Sequence, residues 1–248
     1  MSESENPVEP TRHRGIYLLP NLFTTGALFA GFYAIVAGMK GQFEHAAIAI
    51  FVAMVMDGLD GRVARLTGTQ SAFGAQYDSL SDMVSFGLTP ALVSFNWALS
   101  NFGKMGWLAS FLYVAATALR LARFNIQAES SDKRYFIGLS CTAAAGVVAG
   151  MVWLGTDFQF EISAKRISIS VAVILVCLAL LMVSNIKYHS FKEIDFKGHV
   201  PFFAVLVVVL LFSVIAWDPP IVLFAMFFLY ALSGPLLWLK NRYQKKQA

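Results

Sequence analysis

The amino-acid sequence predicts an all-α, polytopic membrane protein with about eight transmembrane helices. Of its 248 residues, 57% are hydrophobic and 14% are charged, and the mean hydropathy is +0.62. This composition is too apolar for a soluble domain with a polar shell, and apolar runs of about 20 residues can cross a hydrocarbon core roughly 30 Å thick. Because a bilayer requires every backbone polar group to be paired internally, the spanning elements are predicted to be α-helices.

Eight apolar segments can be drawn along the chain. The first opens at Pro20 and Asn21, where proline is tolerated in the first helical turn, and the polar LTGTQSAFG connection separates the second from the third. The fourth ends in ALRLARFN, and the short WDPP turn divides the last two. The predicted helices cover residues 18–38, 45–65, 73–99, 106–124, 138–155, 167–184, 200–217 and 219–239.

The distribution of basic residues predicts the orientation. With the N-terminus in the cytoplasm, only Lys40, Lys104, Lys165 and Arg166 of the 19 lysines and arginines fall on the opposite side. Since cytoplasmic loops are enriched in Lys and Arg, we expect both termini on the cytoplasmic side of the cell (inner) membrane. The net charge of +4 then reflects topology and contact with membrane lipids, not a nucleic-acid partner. Residues 1–16 are polar, lack the features of a cleaved signal, and are predicted to form a cytoplasmic arm.

Four carboxylates lie at the ends of the second and third predicted helices. Asp57 and Asp60 are three residues apart, and Asp78 and Asp82 are four apart, so each pair shares one helix face. Acidic groups at membrane depth are costly and usually face a cavity, a partner or an ion. Two helices that each present two acids form an oxygen-rich cluster suited to a hard divalent cation.

Small residues and one arginine accompany these acids. Gly61 and Gly74 each lie about one helical turn from an aspartate and allow a helix or a substrate to approach the backbone. Arg65 offers a planar donor fork suited to phosphate, and Ser71 could add a hydroxyl contact. Together these features favour chemistry on a phosphate-containing lipid headgroup.

The spacing D-x2-D-G-x2-A-R-x8-G-x3-D-x3-D, from Asp57 to Asp82, resembles the signature of the CDP-alcohol phosphotransferase family at every fixed position. The resemblance implies a six-helix catalytic core over residues 17–185, with two additional helices and a basic tail at 186–248. It also implies a homodimer and two divalent cations, either Mg²⁺ or Mn²⁺.

The resemblance implies roles for individual residues as well. Asp57, Asp60 and Asp78 would hold the first metal, and Asp57, Asp78 and Asp82 the second. Asp82 would also be the general base that deprotonates the acceptor hydroxyl. The residues expected to contact the CDP-diacylglycerol donor are Asn21, Thr24, Gly61, Arg65, Ser71 and Gly74.

Flanking segments bear on the acceptor. MVSFGLTPALV, ALRLARFN, YFIGLSCTAAAG and LLPNLFTTG resemble the membrane-embedded branch of the family that transfers a phosphatidyl group to L-serine and releases CMP. One departure is visible, because that branch usually continues FxGLP where this chain has Ser140 and then Cys141, which is predicted to be a small packing residue. The residues expected to bind the acceptor or a phosphate are Ser85, Arg120, Arg123 and Asn125.

Three alternatives stay open at this stage. The acceptor could be another alcohol, such as glycerol 3-phosphate or inositol. The aspartates could instead form a purely architectural network with Arg62, Arg65, Arg120 or Arg123. Intramembrane acids also mark ion pathways, so a cation transporter is the alternative from a different functional class.

Overall fold

A computed structural model describes residues 18–127, 135–159, 165–189 and 202–247, and the predicted arm at residues 1–16 lies outside them. Every predicted helical segment is helical within these ranges, which confirms the all-α fold class. The α-helices are α1 (Leu18–Met39), α2 (Phe43–Thr67), α3 (Ala72–Asp82), α4 (Thr89–Ser94), α5 (Gly103–Gln127), α6 (Cys141–Asp157), α7 (Lys165–Val183), α8 (Phe202–Trp217) and α9 (Pro219–Gln247).

The third predicted segment is a composite helix. Wider π-helical turns at Met83–Leu88 and Phe95–Leu99 interrupt its α-helical parts, and a 3₁₀ turn at Ser100–Phe102 ends it. Such π-turns are often found beside functional sites. Here the first π-turn directly follows Asp82.

Membrane character follows from helix length and composition. Among the described residues, four stretches are long and apolar enough to cross a bilayer: Leu19–Met39, Ala72–Ile126, Lys165–Val183 and Pro219–Lys240. The second of these, at 55 residues, contains two of the predicted spans. Cys141–Asp157 and Leu206–Trp217 are apolar but shorter, and α2 is long enough but carries the charged residues of the aspartate motif. The chain is therefore a membrane protein, and its number of crossings stays a prediction.

Helices α1 and α2 form a closely packed pair. Both helices are rich in buried alanines, and small residues allow two backbones to approach each other. The buried alanines are Ala27, Ala30, Ala34 and Ala37 of α1 and Ala46, Ala47, Ala49 and Ala53 of α2.

A ladder of hydroxyl groups attaches the composite helix to α1. Ser81 donates to the Thr24 carbonyl at 3.1 Å, and Ser85 donates to the Ala27 carbonyl at 3.1 Å. Thr89 continues the same face, and its hydroxyl lies 3.2 Å from a carbonyl one turn further along α1 and 2.8 Å from the Val84 carbonyl of its own helix, so it shares its proton between them. Because these donors recur every four residues, they fix the rotation of the helix that carries Asp78 and Asp82.

A short connection brings the two aspartate-bearing helices together. Helix α2 ends at Thr67, and the capping residue after it, Gly68, adopts a left-handed conformation with φ of 62°, as is common for glycine at a helix C-terminus. Ser71 then caps α3 by accepting a hydrogen bond from the Gly74 amide at 3.0 Å. With only four residues between the helices, the carboxylates of α2 face those of α3.

The C-terminal half contains a small sheet that the helical prediction did not include. Strands β1 (Tyr135–Ile137) and β2 (Lys187–His189) pair antiparallel between the helices. Tyr188 of β2 donates from its hydroxyl to the Ala231 carbonyl of α9 at 3.0 Å. Burial, and then the nearby Tyr230, raise the pKa of Tyr188 to about 12, so the phenol stays a donor. This contact joins β2 to α9.

Candidate metal and donor-binding site

Three carboxylates converge where α2 faces α3. One ligand oxygen each from Asp57, Asp60 and Asp78 can be chosen so that all three lie within 4.8 Å of one another. These are the three residues that the family resemblance implies for the first metal. Three acidic groups this close repel one another unless protons or a cation offset their charge.

The surroundings of this cluster fit a cation. Asp60 is only 7% exposed, and one of its oxygens accepts a hydrogen bond from the Thr24 hydroxyl at 2.7 Å. Asp78 Oδ1 is buried and has no hydrogen-bond partner among the described residues. A buried carboxylate oxygen without a donor is costly, and a divalent cation would satisfy it. Carboxylate oxygens are also the donors that Mg²⁺ and Mn²⁺ prefer.

Asp82 lies beside this cluster but is not a member of the group within 4.8 Å. Its carboxylate interacts with those of Asp57 and Asp78, and its Oδ2 accepts a weak hydrogen bond from the Cys141 thiol at 3.9 Å. The family resemblance implies that Asp82 belongs to a second metal site and is the general base. Both roles stay predictions.

A polar cleft of about 290 Å³ opens next to the carboxylates. Asp60 and Asp78 line it, so the cleft reaches the cluster directly. All the residues that the sequence predicted for donor binding also line it: Asn21, Thr24, Gly61, Arg65, Ser71 and Gly74. The structure brings these residues together, and their individual contacts with a donor stay predictions.

The two cleft glycines serve different purposes. A Cβ at Gly74 would lie 3.1 Å from the Ser71 hydroxyl and 3.6 Å from Asn21 Oδ1, so glycine permits the cap that starts α3. A Cβ at Gly61 would meet nothing within 4 Å. Packing within the protein therefore does not require glycine at position 61, whereas a substrate lying against α2 would.

A second group of side chains lies on the other side of Asp82. Arg120 is only 8% exposed, its Nη1 donates weakly to Cys141 Sγ at 3.7 Å, and its Nε has no hydrogen-bond partner in the described part of the chain. Cys141 thus connects the guanidinium to the carboxylate of Asp82. The sequence predicted Cys141 to be a packing residue. Its position immediately after the GLS segment, where the chain departs from the family pattern, was the one sequence signal of a role beyond packing.

The remaining acceptor candidates are engaged elsewhere. Arg123 donates to Asn185 Oδ1 at 2.7 Å and to the Val183 carbonyl at 3.4 Å, at the end of α7. Asn125 exchanges hydrogen bonds with Ser79 at 3.1–3.2 Å, and Ser85 belongs to the hydroxyl ladder on α1. Within the described residues, the hydrogen-bond partners of these three side chains are not the aspartates, and no finding tests their predicted roles.

These contacts also bear on the architectural alternative. Asp60 and Asp82 receive hydrogen bonds from Thr24 and Cys141, not from arginine side chains. Arg123 is bonded to an amide and a carbonyl. Within the described residues, these partners give no support to an ion pair at Asp60 or Asp82.

Comparison with known proteins assigns a family to this arrangement. The profile of the CDP-alcohol phosphatidyltransferase family matches residues 17–184. The CDP-diacylglycerol–serine O-phosphatidyltransferase of Helicobacter pylori is 38% identical over 235 residues, which cover 94% of either chain. An enzyme of the same name from Mycobacterium bovis is 39% identical over 157 residues, 60% of this chain and 54% of the relative. Archaetidylserine synthase of Methanothermobacter thermautotrophicus is 35% identical over 172 residues, 68% of this chain and 69% of the relative.

Proposed function

The chain belongs to the CDP-alcohol phosphatidyltransferase family, and we propose that it transfers the phosphatidyl group of CDP-diacylglycerol to the hydroxyl of L-serine. The products are phosphatidylserine and CMP. The observation that carries the proposal is the carboxylate cluster within 4.8 Å at the edge of the polar cleft. The choice of serine is supported by a relative with that named activity that is 38% identical over 94% of the chain.

Two divalent cations, Mg²⁺ or Mn²⁺, would be held by the aspartates. Asp57, Asp60 and Asp78 would bind the first, and Asp57, Asp78 and Asp82 the second. When bound, such ions neutralise the charge of a pyrophosphate and stabilise the departing CMP. The hydrogen bond from Thr24 to Asp60 would hold one ligand in place before any ion arrives.

The cleft residues would orient the nucleotide end of the donor. Arg65 is exposed and lines the cleft, so its guanidinium can reach a phosphate with two parallel N–H groups. Gly61 would leave room for the nucleotide against α2. Ser71 already accepts a hydrogen bond from the Gly74 amide, and its hydroxyl proton is available for a donor oxygen.

The acceptor would approach from the side of Asp82. Asp82 would take the proton from the serine hydroxyl as the new oxygen–phosphorus bond forms and the bond from phosphorus to the CMP oxygen breaks. Free hydroxyls are weak nucleophiles, so a positioned base is needed. The buried Arg120, whose Nε lacks a partner among the described residues, is suited to the serine carboxylate.

The proposed reaction and the predicted topology together suggest where the enzyme acts and how its chain is organised. We place the cleft and both termini on the cytoplasmic side of the inner membrane, where water-soluble serine reaches the site and the donor arrives from the bilayer. The enzyme would act as a homodimer. Residues 17–185 would form the catalytic core and residues 186–248 the additional helices and tail.

The decisive experiment measures CMP release by purified protein with CDP-diacylglycerol and Mn²⁺ or Mg²⁺, with and without L-serine. We expect serine-dependent CMP that disappears on chelation and in Asp78→Asn. If serine has no effect but glycerol 3-phosphate or inositol releases CMP, the acceptor is wrong and the reaction class stands. No CMP with any acceptor, together with metal flux into liposomes, would favour a transporter.

A further inference from the structure

Cys141 contacts two oppositely charged side chains with the same sulfur atom. Arg120 Nη1 donates to Sγ at 3.7 Å, and the thiol donates to Asp82 Oδ2 at 3.9 Å. Among the described residues, no direct hydrogen bond or ion pair joins Arg120 to Asp82. The thiol is therefore the group through which a buried cation and a partly buried carboxylate are linked.

The chain around Cys141 is held at several points. Just before it, the Leu139 amide donates to the Leu181 carbonyl of α7 at 3.1 Å. Ser140 then caps α6 by accepting a hydrogen bond from the Ala143 amide at 3.1 Å. Cys141 is the first residue of α6 and is only 3% exposed. These contacts fix where its sulfur lies.

The cap that starts α6 depends on a residue in which this chain departs from the family pattern. Ser140 stands where the serine-transferring branch usually has proline. A proline side chain has no oxygen, so it could not accept the hydrogen bond from the Ala143 amide. The local setting of Cys141 is therefore a feature of this chain that the family motif does not supply.

Arg120 has spare hydrogen-bonding capacity beside this thiol. Its side chain is buried, and its Nε has no partner among the described residues. A guanidinium carries five N–H donors, and buried donors without acceptors are costly. A direct ion pair with Asp82 would satisfy some of them, but it would occupy both charged groups. A thiol is a weak donor and a weak acceptor, so a carboxylate that enters the site can displace it from the guanidinium.

We propose that Cys141 is a positioning residue for the acceptor, because its thiol orients the Arg120 guanidinium toward the acceptor carboxylate and keeps it from pairing with Asp82. The inference rests on the proposed function, since it needs an acceptor that carries a carboxylate. The thiol takes part in no bond-forming step and stays unmodified through the reaction.

Two substitutions separate this role from simple packing. Cys141→Ser keeps a small group that both donates and accepts, whereas Cys141→Ala removes the donor and the acceptor together. We expect Cys141→Ala to raise the KM for L-serine about three- to tenfold, a factor typical of the loss of one hydrogen bond. Cys141→Ser should keep this KM within about twofold of wild type. A packing role predicts the opposite order, because an apolar core accepts alanine more readily than a hydroxyl without partners.

Cys177 supplies a matched control. It is the second of the two cysteines in the chain, and it is exposed on α7. It lines an apolar groove between α5 and α7 whose lining residues include no carboxylate and no arginine. Cys177→Ala and Cys177→Ser should therefore leave the KM values for serine and for the donor unchanged.

Steady-state CMP release, with serine varied at saturating donor and the donor varied at saturating serine, gives both KM values. A rise confined to serine in Cys141→Ala, with recovery in Cys141→Ser, supports the positioning role. An unchanged KM for serine in Cys141→Ala, an equal rise in Cys141→Ser, or an equal rise in the KM for the donor would overturn it.

A second variant covers the case in which Cys141→Ala does not yield folded protein. Cys141→Val fills the space without a hydrogen-bonding group, and we expect it to raise the KM for serine in the same way; an unchanged value there would equally overturn the role. Serine-dependent CMP release by wild-type protein tests the reaction itself, so failure of the proposed function and failure of the positioning role are distinguishable.

Discussion

The hydrogen bond from Thr24 to Asp60 allows a quantitative test of the metal site. The two oxygens are 2.7 Å apart, a length typical of a hydroxyl bonded to an ionised carboxylate. Thr24 is 3% exposed, so water cannot easily replace its hydroxyl. Thr24→Val keeps the shape of the side chain and removes this donor.

The expected magnitude follows from that geometry. Hydrogen bonds to charged groups contribute about 1.5–3 kcal/mol, and every ~1.4 kcal/mol corresponds to a factor of ten in binding. Loss of a partner that orients a metal ligand typically lowers metal affinity about 10- to 100-fold. We therefore expect Thr24→Val to raise the Kd for Mn²⁺ about 10- to 100-fold and to raise the Mn²⁺ concentration needed for half-maximal CMP release in parallel.

Thr25→Val is the matched control. The Thr25 hydroxyl donates to the Asn21 carbonyl at 2.7 Å and contacts the Tyr77 hydroxyl at 2.9 Å. It is the adjacent residue on the same helix, and its hydrogen-bond partners within the described residues are a carbonyl and a phenol. Calorimetric titration of Mn²⁺ should give a near wild-type Kd for Thr25→Val. Equal Kd values in Thr24→Val and wild type, measured on folded protein, would refute the view that Asp60 is a metal ligand held by Thr24.

Three further predictions follow from the same contacts. A Cβ would meet nothing within 4 Å at either Gly61 or Gly58, but of these two glycines only Gly61 lines the cleft. Steady-state kinetics should therefore show a several-fold higher KM for the donor in Gly61→Ala and an unchanged KM in Gly58→Ala. Asp82→Asn should bind the donor with near wild-type affinity in equilibrium binding but release CMP at least 100-fold more slowly, since general bases contribute about 10²–10⁴-fold to the rate. Full activity of this variant would exclude Asp82 as the base. A Cβ at Gly150 would lie 2.8 Å from the Phe224 backbone, so Gly150→Ala should destabilise the protein by about 1–3 kcal/mol and lower its thermal midpoint in detergent, whereas Gly58→Ala should not.

Much of the helical framework could be predicted from the sequence because a bilayer leaves few alternatives. Long apolar runs must be helical, and the predicted segment at 18–38 differs from α1 (Leu18–Met39) by one residue. The spacing of Asp57 and Asp60 and of Asp78 and Asp82 predicted one cluster of four carboxylates, and the structure groups Asp57, Asp60 and Asp78 within 4.8 Å. Asp82 lies beside this group, so local rules predicted the meeting of the two helices but not the membership of the cluster.

Contacts between distant segments could not be predicted in the same way. Strands β1 and β2 are three residues each and pair across about 50 positions of sequence, so no local periodicity marks them. The partners of Arg123 and Asn125 depend on how α5 packs against α7 and α3. Cys141 is separated from Asp82 by 59 positions, and only the packing of α6 brings its thiol to that carboxylate.

The arrangement around α3 suggests why the family motif has two aspartates on this helix. Asp78 and Asp82 are one turn apart, yet they face different neighbours. Asp78 lines the donor cleft with Asp60, whereas Asp82 contacts Cys141, which in turn contacts Arg120. Under the proposed function, this one helix would present Asp78 to the donor and Asp82 to the acceptor. Since the reacting phosphorus would lie between the acceptor hydroxyl and the departing CMP, a four-residue spacing on one rigid helix would set that separation more precisely than two loops could.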